Sequence, residues 1–212
     1  ERTVKEGQVA TANTYAQMFS NLPSCGKPTR LLIYDLHTLQ NRFYLHGNVI
    51  GSLKTTIPLL LPEIQKGGID CVAFPDDGAA KRFAHEFTGL DVEIVTCGKV
   101  RDGDERKVTI QEGNPQNKTI IIVDDLVQSG GTLFECAQVL KAAGASSVSA
   151  FCAHGVFPKE AWKRFDKGGD RAVFKNFFLT NSIPTTTDAL PKGGVFKVID
   201  LMPQVIFDLD NY

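Results

Sequence analysis

The sequence has almost no net charge, which excludes a partner recruited by bulk electrostatics. Its 212 residues include 23 lysines and arginines against 24 aspartates and glutamates, for a formal charge of −1 at pH 7. No general positive field therefore favours a nucleic acid or an anionic membrane surface. Nucleic acid is not an expected partner, and an anionic small molecule would have to be bound by a local group of residues.

The chain also lacks paired cysteines and long apolar runs. Its five cysteines are odd in number and widely spaced, without a Cys-x-x-Cys pair. A disulfide framework or a zinc site is therefore not expected, and buried free thiols in a reducing compartment are the better interpretation. No run approaches the ~20 apolar residues of a membrane span, so we expect no membrane partner.

The chain begins at Glu1, with neither a methionine nor a signal-like segment. Such a start is typical of a processed polypeptide or of a piece of a longer one. We expect a cytoplasmic protein, with an organelle, reached by way of a transit peptide, as the alternative.

Apolar strands alternate with helical segments along the chain. Residues 30–34, 69–74 and 119–123 read as buried strands, whereas residues 57–65, 77–87 and 132–143 have helical spacing. Continuously apolar strands are typical of a parallel sheet covered on both faces. The pattern predicts an α/β fold, with a parallel twisted sheet flanked by helices.

The clearest motif joins a strand, a glycine-bearing loop and a helix at residues 120–132, Ile-Ile-Ile-Val-Asp-Asp-Leu-Val-Gln-Ser-Gly-Gly-Thr. Gly130 and Gly131 let backbone N–H groups approach an anion, and the start of the following helix adds a partial positive charge. The hydroxyls of Ser129 and Thr132 can donate to phosphate oxygens. The segment therefore predicts a phosphate site.

Two adjacent carboxylates, Asp124 and Asp125, stand at the end of the strand in this motif. Because carboxylates do not bind phosphate, they need a hydroxylated or cationic partner, and the 2- and 3-hydroxyls of a ribose fit. The whole motif then predicts a site for ribose 5-phosphate. A plain turn with a capped helix is the alternative, which explains the glycines but not the paired aspartates.

Two further segments carry candidate metal or phosphate ligands. His37 follows a strand beside Asp35 and could ligate a divalent cation or act as an acid–base group; a satisfied polar histidine is the alternative. Asp76 lies in a turn that two cations, Lys81 and Arg82, follow. That turn suits a pyrophosphate and a metal, although a capped helix with solvated cations also explains it.

A polar, glycine-bearing stretch at residues 98–106 contains Lys99 and Arg101. We predict a mobile loop that closes over phosphates, with a plain solvated loop as the alternative. The two cations would neutralise charge during phosphoryl transfer.

The loop at residues 124–132 resembles the phosphoribosyl-pyrophosphate (PRPP) signature of the type I phosphoribosyltransferase fold. Base phosphoribosyltransferases and PRPP synthases (ribose-phosphate diphosphokinases) both use that signature. The segments at residues 35–40 and 74–82, and the pair Lys99 and Arg101, are similar to segments of the synthases in the same order. His-Gly-Val-Phe-Pro at residues 154–158 resembles the plant-type, phosphate-independent class. The resemblance covers about residues 2–201.

This resemblance implies Mg²⁺-dependent synthesis of PRPP and AMP from ribose 5-phosphate and ATP, in a homo-oligomer. The implied ribose 5-phosphate ligands are Asp124, Asp125, Gln128, Ser129, Gly130, Gly131 and Thr132. The implied ligands of pyrophosphate or ATP are Arg2, Asp77, Gly78, Lys81 and Arg82. The implied catalytic residues are Lys99, Arg101 and His37, and the implied metal ligands are His37 and Asp76.

The resemblance also implies a domain organisation and leaves two alternatives. Residues 1–50 would be the tail of a phosphoribosyltransferase-like domain, and residues 51–212 a second such domain that binds ribose 5-phosphate. Gln128 stands where better-known synthases carry an acidic residue, which removes one candidate ribose contact. A base phosphoribosyltransferase and a non-catalytic subunit related to PRPP synthase are the alternatives.

Overall fold

The computed structural model describes Gly7, residues 11–102 and residues 105–211; the burial of Gly67 and the side chains of residues 101–106 lie outside that description. The chain divides into two compact units, Glu1–Thr55 and Thr56–Tyr212. Arg2 lies outside the described residues.

The first unit pairs two short parallel strands. Its elements are α1 (Thr11–Ser20), β1 (Thr29–Tyr34), a 3-10 helix (Leu39–Tyr44) and β2 (Val49–Lys54). The strands run in register from Thr29↔Val49 to Tyr34↔Lys54. Sequence patterning predicts β1 but not β2, because glycine, serine and lysine interrupt the apolar residues of β2.

The second unit is a mostly parallel sheet with helices between its strands. Its elements are α2 (Ile57–Gly67), β3 (Cys71–Phe74), α3 (Asp77–Phe83), a 3-10 helix (Ala84–Phe87), β4 (Glu93–Asp102), β5 (Glu105–Glu112), β6 (Thr119–Val127), α4 (Gly131–Ala142), β7 (Ser147–Gly155), a 3-10 helix (Pro158–Arg164), β8 (Phe177–Thr180), α5 (Pro184–Thr187), β9 (Phe196–Ile199) and α6 (Met202–Asp210).

The strand order in this sheet is β5-β4-β3-β6-β7-β8-β9. β5 pairs antiparallel with β4, and the other neighbours are parallel. From β3 the chain adds strands on one side, and from β6 it adds them on the other. The order therefore reverses between β3 and β6, and in open α/β sheets ligands bind at the carboxyl ends of strands beside such a switch point.

Apolar cores cover both faces of the sheet, as the continuously apolar strands predict. On one face, Ile120 and Ile122 of β6 join a cluster that includes Leu133 of α4. On the other face, Ile121 and Val123 join a cluster with residues of α2 and α3. The predicted α/β fold is confirmed. In the described parts of the chain, no helix is long and apolar enough to cross a membrane.

The prediction of a loop at residues 98–106 was wrong. The described part of this stretch forms the end of β4 and the start of β5, which pair as an antiparallel hairpin. Solvent-exposed strands carry polar side chains, so the composition of such a ribbon resembles that of a loop. The register shifts between Thr96 and Cys97, just before Lys99. Such bulges occur next to active sites, where they redirect a side chain.

Candidate functional site

The loop between β6 and α4 has the geometry of an anion site. Gly130 adopts a left-handed conformation, with φ 69°, and α4 begins at the next residue. A Cβ atom at Gly130 would lie 2.3 Å from Cζ of the buried Phe165. Only glycine fits there, because both the conformation and the space exclude a side chain. The buried Gly130 thus connects the exposed Ser129 to the half-buried Gly131, at the N-terminus of a helix of three turns, where backbone N–H groups favour an anion.

The two aspartates lie at the end of β6, beside the switch point of the sheet. The backbone N–H of Asp125 donates to Oδ1 of Asp124 at 2.9 Å. Oδ2 of Asp125 accepts a hydrogen bond from a guanidinium nitrogen of Arg82 at 2.6 Å. The exposed fractions of these two side chains are only 8% and 14%. The structure thus pairs a predicted ribose ligand on β6 with a predicted pyrophosphate ligand on α3.

The turn after β3 is organised by Asp76, the N-cap of α3. Its Oδ1 accepts from the backbone N–H of Ala79 at 2.9 Å. Asp77, Gly78 and Lys81 are exposed on the same first turns. These residues face solvent at the carboxyl end of β3, where an anionic ligand of the switch point would reach them.

Lys99 is an exposed residue of β4. The structure brings it to the turn from β6 into α4, residues 128–132, which we call the phosphate loop. Its Nζ lies 3.4 Å from the hydroxyl oxygen of Thr132. The two residues are 33 positions apart, so only the fold joins them. The side chain of Arg101 lies outside the described residues, whereas its backbone pairs with Arg106 across the hairpin.

The described side chains include few groups that could bind a metal ion together. Among them, no group of three or more histidine, cysteine, aspartate or glutamate residues has the geometry to hold an ion. Mg²⁺ is commonly bound through only one or two carboxylates together with phosphates of a ligand, so a magnesium site does not require such a group. Asp76 fits that role in a limited sense, because it is exposed and Oδ1 is the oxygen that caps α3.

His37 belongs to the first unit, where it is exposed in the bend that follows β1.

Arg171 is a residue near the phosphate loop that sequence analysis does not identify. Its guanidinium donates to the carbonyl of Ser129 at 3.2 Å. The stretch around it, Lys-Gly-Gly-Asp-Arg, has no strand or helix spacing that could assign it to the site.

Comparison with known proteins identifies the class. The model of the phosphoribosyl transferase domain matches residues 63–183. The chain therefore belongs to the phosphoribosyl transferase domain family.

Within that family, the chain is similar to ribose-phosphate pyrophosphokinases. It is 50% identical to ribose-phosphate pyrophosphokinase 4 of Arabidopsis thaliana, across 95% of this chain and 61% of the relative. It is 47% identical to ribose-phosphate pyrophosphokinase 4 of Oryza sativa subsp. japonica, across 95% of this chain and 63% of the relative. The resemblance to the plant-type synthases is confirmed, and the chain spans about three fifths of the length of these relatives.

A solved structure supports the fold. Phosphoribosylpyrophosphate synthetase of Mycobacterium smegmatis aligns with 96% of this chain and 64% of its own, with a TM-score of 0.72 and 24% identity. At that identity the match shows only the arrangement of helices and strands. The roles of the site residues follow from the contacts within this chain.

Proposed function

We propose that this chain is part of a ribose-phosphate diphosphokinase, which makes PRPP and AMP from ribose 5-phosphate and ATP. The observation that carries the proposal is the contact of Lys99 with the phosphate loop, where its Nζ lies 3.4 Å from Oγ1 of Thr132. This loop follows the carboxylates at the switch point of the sheet. The similarity to ribose-phosphate pyrophosphokinases over 95% of the chain favours this activity over the two alternatives.

Ribose 5-phosphate would bind along the end of β6 and the start of α4. The backbone of Gly130 and Gly131 and the hydroxyls of Ser129 and Thr132 would hold the 5-phosphate, since N–H and O–H groups donate to its oxygens. Asp124 and Asp125 would accept hydrogen bonds from the ribose hydroxyls, with Gln128 as a neutral neighbour. Arg82 would keep the Asp125 carboxylate oriented through the hydrogen bond of 2.6 Å.

The reaction would be an in-line attack of the ribose C1 hydroxyl on the β-phosphorus of ATP, with AMP as the leaving group. Lys99, together with Arg101, would stabilise the charge that develops on the transferring phosphates. Asp77, Gly78, Lys81 and Arg2 would contact the pyrophosphate or ATP. Asp76 and His37 are each a predicted magnesium ligand, and magnesium held by either residue would neutralise phosphate charge and help to orient the pyrophosphoryl group.

ATP and ribose 5-phosphate are thus the proposed partners, within a homo-oligomer. The proposed organisation places the tail of one phosphoribosyltransferase-like domain at residues 1–50 and a second such domain at residues 51–212. The proposed location is the cytoplasm, with an organelle as the alternative, and relatives named chloroplastic in Oryza sativa and mitochondrial in Spinacia oleracea favour the organelle.

Product analysis of the native polypeptide tests the activity. Incubation with ribose 5-phosphate, Mg²⁺ and ATP labelled in the γ-phosphate should yield AMP and PRPP that carries the label. Consumption of PRPP by orotate or a purine, without AMP formation from ATP, would instead identify a base phosphoribosyltransferase. Neither reaction would be seen for a non-catalytic subunit.

A further inference from the structure

Arg171 lies at the opening of the phosphate loop. One guanidinium N–H donates to the carbonyl of Ser129 at 3.2 Å. A Cβ atom built on Gly131 would be 3.8 Å from the same guanidinium nitrogen, so the cation borders the surface of the loop. Its central carbon lies 5.2 Å from the centre of the Phe134 ring, which is within the range of a cation–π contact.

The surrounding segment holds this arginine in place. The backbone N–H of Arg171 donates to the carbonyl of Arg164 at 2.7 Å. A Cβ at Gly169 would lie 2.3 Å from that carbonyl oxygen, so the turn depends on glycine. Phe165, which follows Arg164 in the chain, is buried and packs against Gly130 of the loop. The segment and the loop are therefore fitted to each other.

The neighbouring carboxylate is directed elsewhere. Nε of Arg164 donates to the two oxygens of Asp170 at 3.0 and 3.1 Å. This hydrogen bonding lowers the pKa of Asp170 and keeps it ionised, paired with Arg164. The charge of Asp170 is thus balanced mainly by Arg164, and Arg171 adds only a smaller Coulombic contribution.

We propose that Arg171 binds the 5-phosphate of ribose 5-phosphate, an inference that rests on the proposed function. A guanidinium has five N–H donors. Arg171 donates one of them to the carbonyl of Ser129, so others can reach a phosphate. Lys99 contacts the loop at Thr132 and Arg171 contacts it at Ser129. A phosphate dianion seated on the loop would lie between two cations, in addition to the backbone donors.

The test compares Arg171→Gln, Arg171→Lys and the control Lys175→Gln by calorimetric titration with ribose 5-phosphate. Lys175 is an exposed cation of the same segment, and its backbone N–H donates to the carbonyl of Val148 near the amino end of β7, so the control removes one positive charge at the opposite end of the sheet from the loop. Loss of one charge-assisted hydrogen bond should weaken binding in Arg171→Gln by roughly tenfold to a hundredfold. The lysine variant should retain most of the affinity, and the KM for ATP should stay unchanged.

The outcomes separate a phosphate contact from a structural one. Glutamine keeps a donor for the Ser129 carbonyl but no charge, whereas lysine keeps the charge. Equal losses in both variants, or binding by Arg171→Gln within about threefold of wild type, would overturn the inference. If the unmodified protein bound neither ribose 5-phosphate nor PRPP, the proposed function itself would fail.

Discussion

Lys99 is the residue whose position depends most on the fold. It is exposed on an edge hairpin, yet its ammonium group lies 3.4 Å from the Thr132 hydroxyl. Lys99→Ala should lower kcat by roughly a hundredfold to a thousandfold, the usual effect of removing one transition-state donor. Steady-state synthesis of AMP from ATP and ribose 5-phosphate measures the effect.

Lys141→Ala provides the matched control for Lys99, because Lys141 is an exposed lysine in the last turn of α4, away from the loop. Both variants should unfold within about 1 kcal/mol of wild type, since each loses only surface interactions. Full turnover by Lys99→Ala would refute its assignment to catalysis.

The ion pair of Arg82 with Asp125 is nearly buried, which gives it a structural effect as well as a proposed function. Arg82→Met would leave the Asp125 carboxylate without this partner, and breaking a buried pair costs about 3–5 kcal/mol. Chemical denaturation should show that loss, whereas Lys81→Met, at the exposed neighbouring position, should change stability by less than about 0.5 kcal/mol. Recovery in the double variant Arg82→Met, Asp125→Asn would show that the buried carboxylate charge, once it has lost Arg82, causes the loss. An unchanged Arg82→Met would mean that the pair contributes nothing.

At the scale of elements, the turn from β6 into α4 depends on one glycine. Gly130→Ala would meet both the left-handed backbone, which costs about 1–2 kcal/mol, and the Phe165 ring, where overpacking adds about 1–3 kcal/mol. Gly193 is the control, because it also has a positive φ, of 78°, but nothing lies within 4 Å of a Cβ built there. The free energy of unfolding should fall more for Gly130→Ala than for Gly193→Ala. The affinity for ribose 5-phosphate should fall only in Gly130→Ala. Equal losses would show that packing against Phe165 is unimportant.

The sequence predicts the β6–α4 element well, because every signal for it is local. The apolar run, the two aspartates and the glycines that precede the helix are consecutive, so no tertiary information is needed. Strands at residues 92–96 and 107–111 are predicted and found in β4 and β5, but their extension into residues 98–106 escapes prediction, since this polar stretch lacks the apolar alternation that marks a strand. The contact of Arg171 with Ser129 cannot be predicted for another reason. The two residues are 42 positions apart in the sequence, and Arg171 lies in a segment without helix or strand.

At the scale of the whole molecule, the sheet covered on both faces buries most of the thiols. Cys71, Cys97, Cys136 and Cys152 are buried, whereas Cys25 is exposed. A small aromatic disulfide reagent should therefore titrate one thiol rapidly in the native protein and the remaining ones after denaturation, because reaction requires an accessible thiolate. Cys25→Ser should abolish the rapid phase. A rapid phase that survives in Cys25→Ser would show that a core of the second unit opens readily.

Burial of Cys71 also makes the stability of the fold depend on alkaline pH. Burial raises the pKa of Cys71 from 9.0 to about 12. Between these values an unfolded thiol has released its proton while the folded one retains it, so the free energy of unfolding must fall as pH rises through this window. Each such thiol contributes a slope of up to about 1.4 kcal/mol per pH unit. Urea unfolding of wild type and Cys71→Ala between pH 8 and 11 measures it: the variant should lose stability less steeply, and parallel slopes would mean that Cys71 ionises without unfolding.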